Sequence, residues 1–457
     1  LNSYGQIDTL TANQYFNKAD SFSKAARYDS AIFYYEQASV IYGQLIKWED
    51  YLICFNKIAQ NYFYKAQFTK AIEKLKIGLT TGIEKLGKQH KVVAGSYNVL
   101  GAVYWKKGEY DNALKNYQQS LKILHKKLGK DHLKIASGFN NIGIIYWEKG
   151  DYEKAMEYHQ QSLRIKQLNL GKDHPSVAQS YNNMGIVYCE RGDYGSAMEY
   201  FQQALRTRQL NFGKDHLDVA ASYNNIGIVY RETGFYNEAM ESYQQAIRIR
   251  YQILGKDHPE VASSYNNFGI VYNDKGEYDK ALEYHQQSLN IRLKTFGKEH
   301  SYVAKNYFNI GDVFKNKREF TKAKAYQNKA LAIYINTFGR YHPHVGKVYN
   351  SLAAIYVRKA YSPEYSGVDT MRPYGREYAR YVLCAMRLDT ALFYYQQAIQ
   401  SLVKGFSDNS IYVNPVLKKV FIPGKVPKIE GVQSMLVLLA VLEGKAEAFY
   451  GKWKLQE

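Results

Sequence analysis

The residues best placed to do chemistry in this sequence are asparagines that recur in pairs. Asn140–Asn141, Asn182–Asn183, Asn224–Asn225 and Asn266–Asn267 follow one another at intervals of 42 residues, and Asn98 and Asn309 each extend one of the two columns. A primary amide carries donors and an acceptor on one planar group. It can pair with the backbone of an extended segment whatever that segment's side chains are, so a column of amides suits peptide recognition. It equally suits a bond from one repeat to the next, and the residue types leave both readings open. Slightly downstream the same frame carries residues that vary: Trp105, Trp147, Cys189, Arg231, Asn273 and Lys315. A groove with sequence preference would show such variation, and so would drift on a solvated face. Trp105 and Trp147 are candidate walls of an aromatic pocket for an anchor side chain, with packing between repeats as the rival reading.

Other groups recur without an obvious chemistry. Histidines at 90, 132, 174, 216, 258, 300 and 342 share the interval and look like a ligand array. Zinc, however, draws its ligands to about 2 Å from one centre, and positions one repeat apart are separated by at least a helix-packing distance, roughly 8–10 Å. Their place ahead of each helix suits loop hydrogen bonds instead. Basic pairs recur at Arg164 and Lys166, Arg206 and Arg208, Arg248 and Arg250, and Arg292 and Lys294. Cations are favoured near helix C-termini. A basic ridge for RNA or an acidic partner is the alternative, and a net charge of +19 keeps it open, although no recognised nucleic-acid-binding module appears. There is no GxSxG, no HExxH, no glycine-rich phosphate loop and no zinc cysteine set, so neither catalysis nor a cofactor nor a metal is expected. The three cysteines, Cys54, Cys189 and Cys384, are too few and too far apart for a disulfide framework. A reducing, cytoplasmic setting is the default expectation, though a cleaved leader would leave no trace. Hydrophobic residues at 46% and charged residues at 23% exclude wholesale disorder. No apolar run approaches the roughly 18 residues that a membrane span needs.

The elements that position these residues follow from the repeat. A Gly-Lys-acid-His element stands at Gly129, Gly171, Gly213, Gly255 and Gly297, with variants at Gly87 and Gly339. A small residue recurs in phase at Gly101, Gly143, Gly185, Gly227, Gly269, Gly311 and Ala353, and an alanine at Ala113, Ala155, Ala197, Ala239, Ala281 and Ala323. Inside one period, Val261, Tyr265, Phe268, Gly269 and Tyr272 fall at spacings of three and four, one face of a helix. Gly276 breaks that helix, Tyr278 to Phe296 resumes, and Gly297 is the expected C-cap. Gly269 and Ala281 stand where the two helices cross, with Tyr272 and Tyr278 expected to fill the space beside them. No single pair can bury its apolar face, so each needs neighbours.

This pattern resembles the tetratricopeptide repeat, with the family's small and aromatic positions at Tyr265, Phe268, Gly269, Tyr272, Ala281, His285 and Ser288. His285 and His159 depart from the family's usual aromatic or apolar residue. The period departs as well, being 42 residues where about 34 is usual, a long form similar to the repeats of kinesin light chains and of bacterial signalling proteins. The resemblance implies an all-α, right-handed superhelical solenoid of stacked antiparallel helix pairs, with the first helix of each pair lining a concave groove. The asparagines would then hold a peptide or protein partner there. The expected organisation is two degenerate repeats over 1–90, six regular repeats over 91–341, and a ninth over 342–404 split by an insertion at about 359–388. A linker over 405–431 and the start of a further helical repeat over 432–457 follow. The first residue is Leu1 and the last segment is strongly apolar, so the chain reads as a piece of a longer one. The stretch ALFYYQQAIQSLVKGFSDNSIYVNP, followed by LLAVLEGKAEAFY, is similar to the junction in bacterial CHAT-type proteins, where such arrays precede a caspase-like protease. That resemblance implies a regulatory array, with the catalytic His and Cys downstream. A stand-alone adaptor like kinesin light chain, and an RNA-binding array, are the other two readings.

Overall fold

The computed structural model describes residues 8–340, 342–360 and 390–401. Most of the expected insertion, and the whole of the expected linker and terminal helix, lie outside them. Helices follow one another as α1 (Thr9–Lys24), α2 (Tyr28–Gln44), α3 (Trp48–Tyr64), α4 (Phe68–Leu86), α5 (Lys91–Lys106), α6 (Tyr110–Leu128), α7 (Leu133–Glu148), α8 (Tyr152–Leu170) and α9 (Pro175–Glu190). They continue as α10 (Tyr194–Phe212), α11 (Leu217–Glu232), α12 (Tyr236–Leu254), α13 (Pro259–Asp274), α14 (Tyr278–Phe296), α15 (Ser301–Asn316), α16 (Phe320–Phe338) and α17 (Pro343–Ala360), and residues 390–401 are helical again. Among the described residues every regular element is a helix. The chain divides inside α9 into two compact units, Leu1–Val187 and Tyr188–Glu457. Within each, helices touch the next in order or the next but one, so the pairs stack in series as a helical-repeat solenoid.

Local chemistry explains where these helices begin and end. Glycine at φ between +77° and +87° caps each second helix from Gly87 to Gly339, a conformation that a Cβ disfavours. The histidine ahead of each first helix from α5 onward is its N-cap in function. His90, His132, His174, His216, His258, His300 and His342 each accept at Nδ1 from the backbone N–H two residues on, at 3.0–3.3 Å. This satisfies one of the orphan donors of a helix start, a task more often given to Ser, Thr, Asp or Asn.

Small residues set the crossings. The alanines at 113, 155, 197, 239, 281 and 323 are fully buried. Against five of the repeated glycines lies one large side chain from the second helix: Tyr117 on Gly101 and His159 on Gly143 in the first unit, then Tyr243 on Gly227, His285 on Gly269 and Gln327 on Gly311 in the second. A Cβ at Gly269 would lie 2.6 Å from the His285 ring, so nothing larger than hydrogen fits. The residue filling this space is therefore His285 and not the expected Tyr272, which stacks on Tyr284 with ring centres 5.3 Å apart. His285 lies one turn beyond Ala281 on the same face of α14 and so shares its direction toward α13.

Candidate partner-binding face

The asparagine pairs form a chain of hydrogen bonds between successive first helices. Asn141 Nδ2 donates to Asn98 Oδ1 at 3.0 Å, and Asn183 Nδ2 to Asn140 Oδ1 at 2.6 Å. In the second unit Asn267 Nδ2 donates to Asn224 Oδ1 and Asn309 Nδ2 to Asn266 Oδ1, both at 2.6 Å. The second asparagine of a pair is thus the donor and the first asparagine of the preceding repeat the acceptor. Asn182, Asn183 and Asn266 are buried, and Asn98, Asn140, Asn141, Asn224, Asn225, Asn267 and Asn309 are half-buried. Asn183 Oδ1 also accepts from Gln179 Nε2 at 2.9 Å, and Asn225 Oδ1 from Asn224 Nδ2 at 3.4 Å. Asn98 and Asn140 keep both Nδ2 hydrogens uncommitted within the described residues. Within the described residues Asn266 Nδ2 also makes no bond, but that residue is 2% exposed, so Asn98 and Asn140 are the half-buried first-column members with a whole NH2 group to offer.

The variable column is also tied across repeats. Trp105 Nε1 donates to Glu148 at 3.2 Å, Glu148 accepts from the Tyr110 hydroxyl at 3.3 Å, and the Lys106 ammonium lies 3.8 Å from the Trp105 ring centre. Trp147 is half-buried in the next repeat, in register with Trp105. In the second unit Arg231 pairs with Asp274 at 3.3 Å and with Glu232. Asn273 Oδ1 accepts from Asn316 Nδ2 at 3.1 Å. Lys315 Nζ lies 2.7 Å from Asp312, whose carboxylate also accepts from the Ser351 hydroxyl at 2.6 Å. Half-buried Cys189 shares this column, and burial pushes its thiol up to about 11, the opposite of an activated cysteine.

One feature of the packing has only a weak sequence signal. The basic residues Lys166, Arg208, Arg250 and Arg292 are buried. Each reaches the polar residue fourteen positions on, in the following first helix: Lys166 to Ser180 at 2.9 Å, Arg208 to Ser222 at 2.8 Å, Arg250 to Ser264 at 2.7 Å and Arg292 to Asn306 at 2.7 Å. The signal was the constant spacing of a basic and a small polar residue, and helix-dipole reasoning hides it. Burial lowers the Lys166 ammonium to about 8. Other cations of the same set are paired with the loop aspartate of their own repeat, Arg164 with Asp131 at 3.0 Å, Arg248 with Asp215 at 2.7 Å and Lys294 with Asp257 at 2.9 Å. None of these seven projects from the surface as an unpaired charge.

These features define a class of protein: a helical-repeat scaffold in which an amide ladder and a row of buried basic side chains tie successive repeats together. A family model described as tetratricopeptide repeat matches residues 92–168, 135–210, 176–252, 218–294 and 260–334, and a second so described matches 13–39. The chain belongs to the tetratricopeptide-repeat family. A comparison with curated proteins found no match. Among solved structures, the apo form of the quorum sensor NprR from B. thuringiensis is 16% identical with a TM-score of 0.52, over 70% of this chain and 87% of that one. BtubC (BKLC) from P. vanneervenii is 22% identical with a TM-score of 0.39, over 52% of this chain and 92% of that one. A putative kinesin light chain with nearly identical TPR-like repeats from Podosopora anserina is 22% identical with a TM-score of 0.37, over 45% and 98%. At such identities the likeness concerns the fold. Among the described residues, no helix is long and apolar enough to cross a membrane.

Proposed function

We propose that the chain is a protein-interaction scaffold that holds a peptide or protein partner along the face of its first helices. The observation that carries this reading is the division of labour in the asparagine ladder. The amide oxygens of Asn98, Asn140, Asn224 and Asn266 are committed between repeats, while the Nδ2 hydrogens of Asn98 and Asn140 are left to donate. A row of donors at a fixed interval matches the carbonyls of an extended chain. Trp105, Trp147, Arg231, Asn273 and Lys315, beside the ladder and changing from tryptophan to cation and amide along it, would supply preference.

The ladder's structural duty decides how to test this. Alanine would remove the bond between repeats together with any bond to a ligand. Aspartate at Asn98 or Asn140 keeps an acceptor oxygen for Asn141 or Asn183 and replaces only the amide nitrogen. Peptides selected by display on the full chain should bind the Asn98→Asp, Asn140→Asp double variant about tenfold more weakly, while its melting temperature changes little. Unchanged affinity for every selected peptide would remove the groove model.

A finer reading follows from the tail. The similarity of the stretch from Ala391 onward to the CHAT junction supports a regulatory array that binds an activator and controls a caspase-like protease in cis. The stand-alone adaptor is the rival. Reading the gene beyond the codon for Glu457 separates them, because a downstream His and Cys pair supports the first and an immediate stop the second.

A further inference from the structure

Where α12, α13 and α14 meet in the second unit, aromatic rings line an open cavity of about 600 Å³. Its floor is Ile247 of α12 and Phe268 of α13, both buried. Its walls are Tyr251 of α12, Tyr265 of α13 and Tyr284 of α14. The Tyr251 and Tyr265 hydroxyls are hydrogen-bonded to each other, and the two rings meet edge to face with centres 6.3 Å apart. The Tyr284 ring lies 6.1 Å from that of Tyr265 and stacks on Phe268 at 5.3 Å. Gln244, Arg248 and Gln252 stand on the exposed rim.

This lining departs from the repeat. Where Tyr251 stands, the two preceding repeats have Gln167 and Gln209, which donate to the Tyr181 and Tyr223 hydroxyls at 3.1 and 3.2 Å. Where Phe268 stands, the other regular repeats have Leu100, Ile142, Met184, Ile226 and Ile310. Gln252 replaces Leu168 and Leu210, both exposed. Two rings therefore enter the cavity in this repeat, and an amide takes the place of an apolar side chain on its rim. The cavity lies on the far side of α13 from the asparagine ladder. At 3.6 residues per turn, Asn267 stands about 200° round the helix from Tyr265.

Floor, walls and rim each restrict the occupant. Ring-lined walls over an apolar floor favour a flat aromatic group, which gains edge and face contacts beyond the area it buries. Among the described residues the Gln244 and Gln252 amides bond no protein group, and a primary amide offers a donor and an acceptor to a peptide bond. Arg248 is held by Asp215 at 2.7 Å, so the rim carries no uncompensated charge and suits a neutral ligand. We propose that this cavity is a second partner site, separate from the ladder face, which takes an aromatic anchor residue, above all tryptophan, on an uncharged peptide segment. The ring sits among Tyr251, Tyr265 and Phe268, and the segment's backbone pairs with the rim amides. Anchors of this type dominate binding energy when a pocket encloses them. The site goes beyond the groove reading and stands or falls independently of it.

The test uses the full chain and N-acetyl-tryptophanamide, a ring with one peptide group on each side, titrated by saturation-transfer difference NMR. Tyr251→Gln with Phe268→Ile gives the site the residues of the preceding repeat, Gln209 and Ile226, and so a lining that already packs in this chain. Binding should weaken about tenfold, the loss expected when an anchor pocket loses two of its rings, with the melting temperature within a few degrees of the parent. If the double variant melts much lower, Tyr251→Gln alone, at a position 39% exposed, should still weaken binding about threefold. Gln252→Leu, which copies Leu210, should weaken N-acetyl-tryptophanamide about threefold and leave free indole unchanged. Unchanged affinity in both Tyr251 variants would overturn the site. N-acetyl-leucinamide binding as tightly as the tryptophan compound would overturn the aromatic assignment. Indole binding as tightly as N-acetyl-tryptophanamide, with Gln252→Leu affecting neither, would overturn the peptide assignment in favour of a small aromatic molecule.

Discussion

Asn266 shows how one side chain can be read two ways until its neighbours are known. It is 2% exposed, and its Oδ1 receives the Asn309 amide at 2.6 Å. Asn266→Ala leaves a half-buried donor without its acceptor and should lower stability by about 1–3 kcal/mol, measured by urea unfolding. A loss below a few tenths would mean the ladder is incidental to packing. His285 carries a pH signature. It is 1% exposed, its Nδ1 has no protein partner, and burial with the nearby Arg292 charge lowers it to about 3. The unfolded histidine titrates near 6.5. Between those values the unfolded chain binds a proton that the folded chain refuses, so stability falls as pH falls, by at most about 1.4 kcal/mol per pH unit. His159, lowered to about 4 by burial and Lys166, adds a second loss in the same direction. His285→Phe, which copies Phe201 in register, should change the melting temperature little at pH 7 and raise it at pH 4.5. An equal effect at both pH values would mean that the histidine does not titrate in the unfolding transition.

At the scale of the element, the turn inside each pair is under a sharper constraint than the helices it joins. Gly276 sits at φ 78° between α13 and α14, and the same register in the next repeat is Arg318 at φ 65°. A left-handed conformation costs a residue with a Cβ about 1–2 kcal/mol. Gly276→Ala should therefore destabilise by about 1 kcal/mol, whereas Arg318→Gly should be neutral or stabilising, since relief of that strain offsets the flexibility glycine adds to the unfolded chain. Thermal melts of the two variants check this, and a stabilising Gly276→Ala would contradict it. Helix ends of this kind were legible in the sequence because each depends on one residue type at one position: Gly297 does close α14, and His258 does open α13. The partners of the ladder were not. Asn309 bonds Asn266, 43 residues earlier and not 42, because the facing first helices are staggered by one position. Periodicity reports what is equivalent between repeats, whereas contact depends on that stagger, and so on packing between helices. For the same reason Arg250 and Arg292 read as helix-end cations, although both are buried against the following repeat.

For the molecule as a whole, the serial contacts within each unit imply a modular response to truncation that a globular domain would not give. Among the described residues the main contacts of each helix are with those next to it or one further along, so stability is close to a sum of repeat and neighbour terms. Ending the chain after Gly297 removes α15 and everything beyond it. It uncovers Leu289, which packs in the cluster with Val303 and Ala304, but leaves α13 and α14 paired, with Gly269 still covered by His285. Ending it after Lys275, 22 residues earlier, leaves α13 without α14. That exposes Phe268 and the Gly269 face, and the crossing at Ala281 is lost. The longer fragment should keep nearly the full chain's helical signal per residue in far-ultraviolet circular dichroism, with a melting temperature a few degrees lower. The shorter one should lose the helicity of α13 and expose apolar surface, read as binding of a hydrophobic dye. Loss of structure in both fragments alike would show that the second unit folds all-or-none, and stability could not then be assigned repeat by repeat.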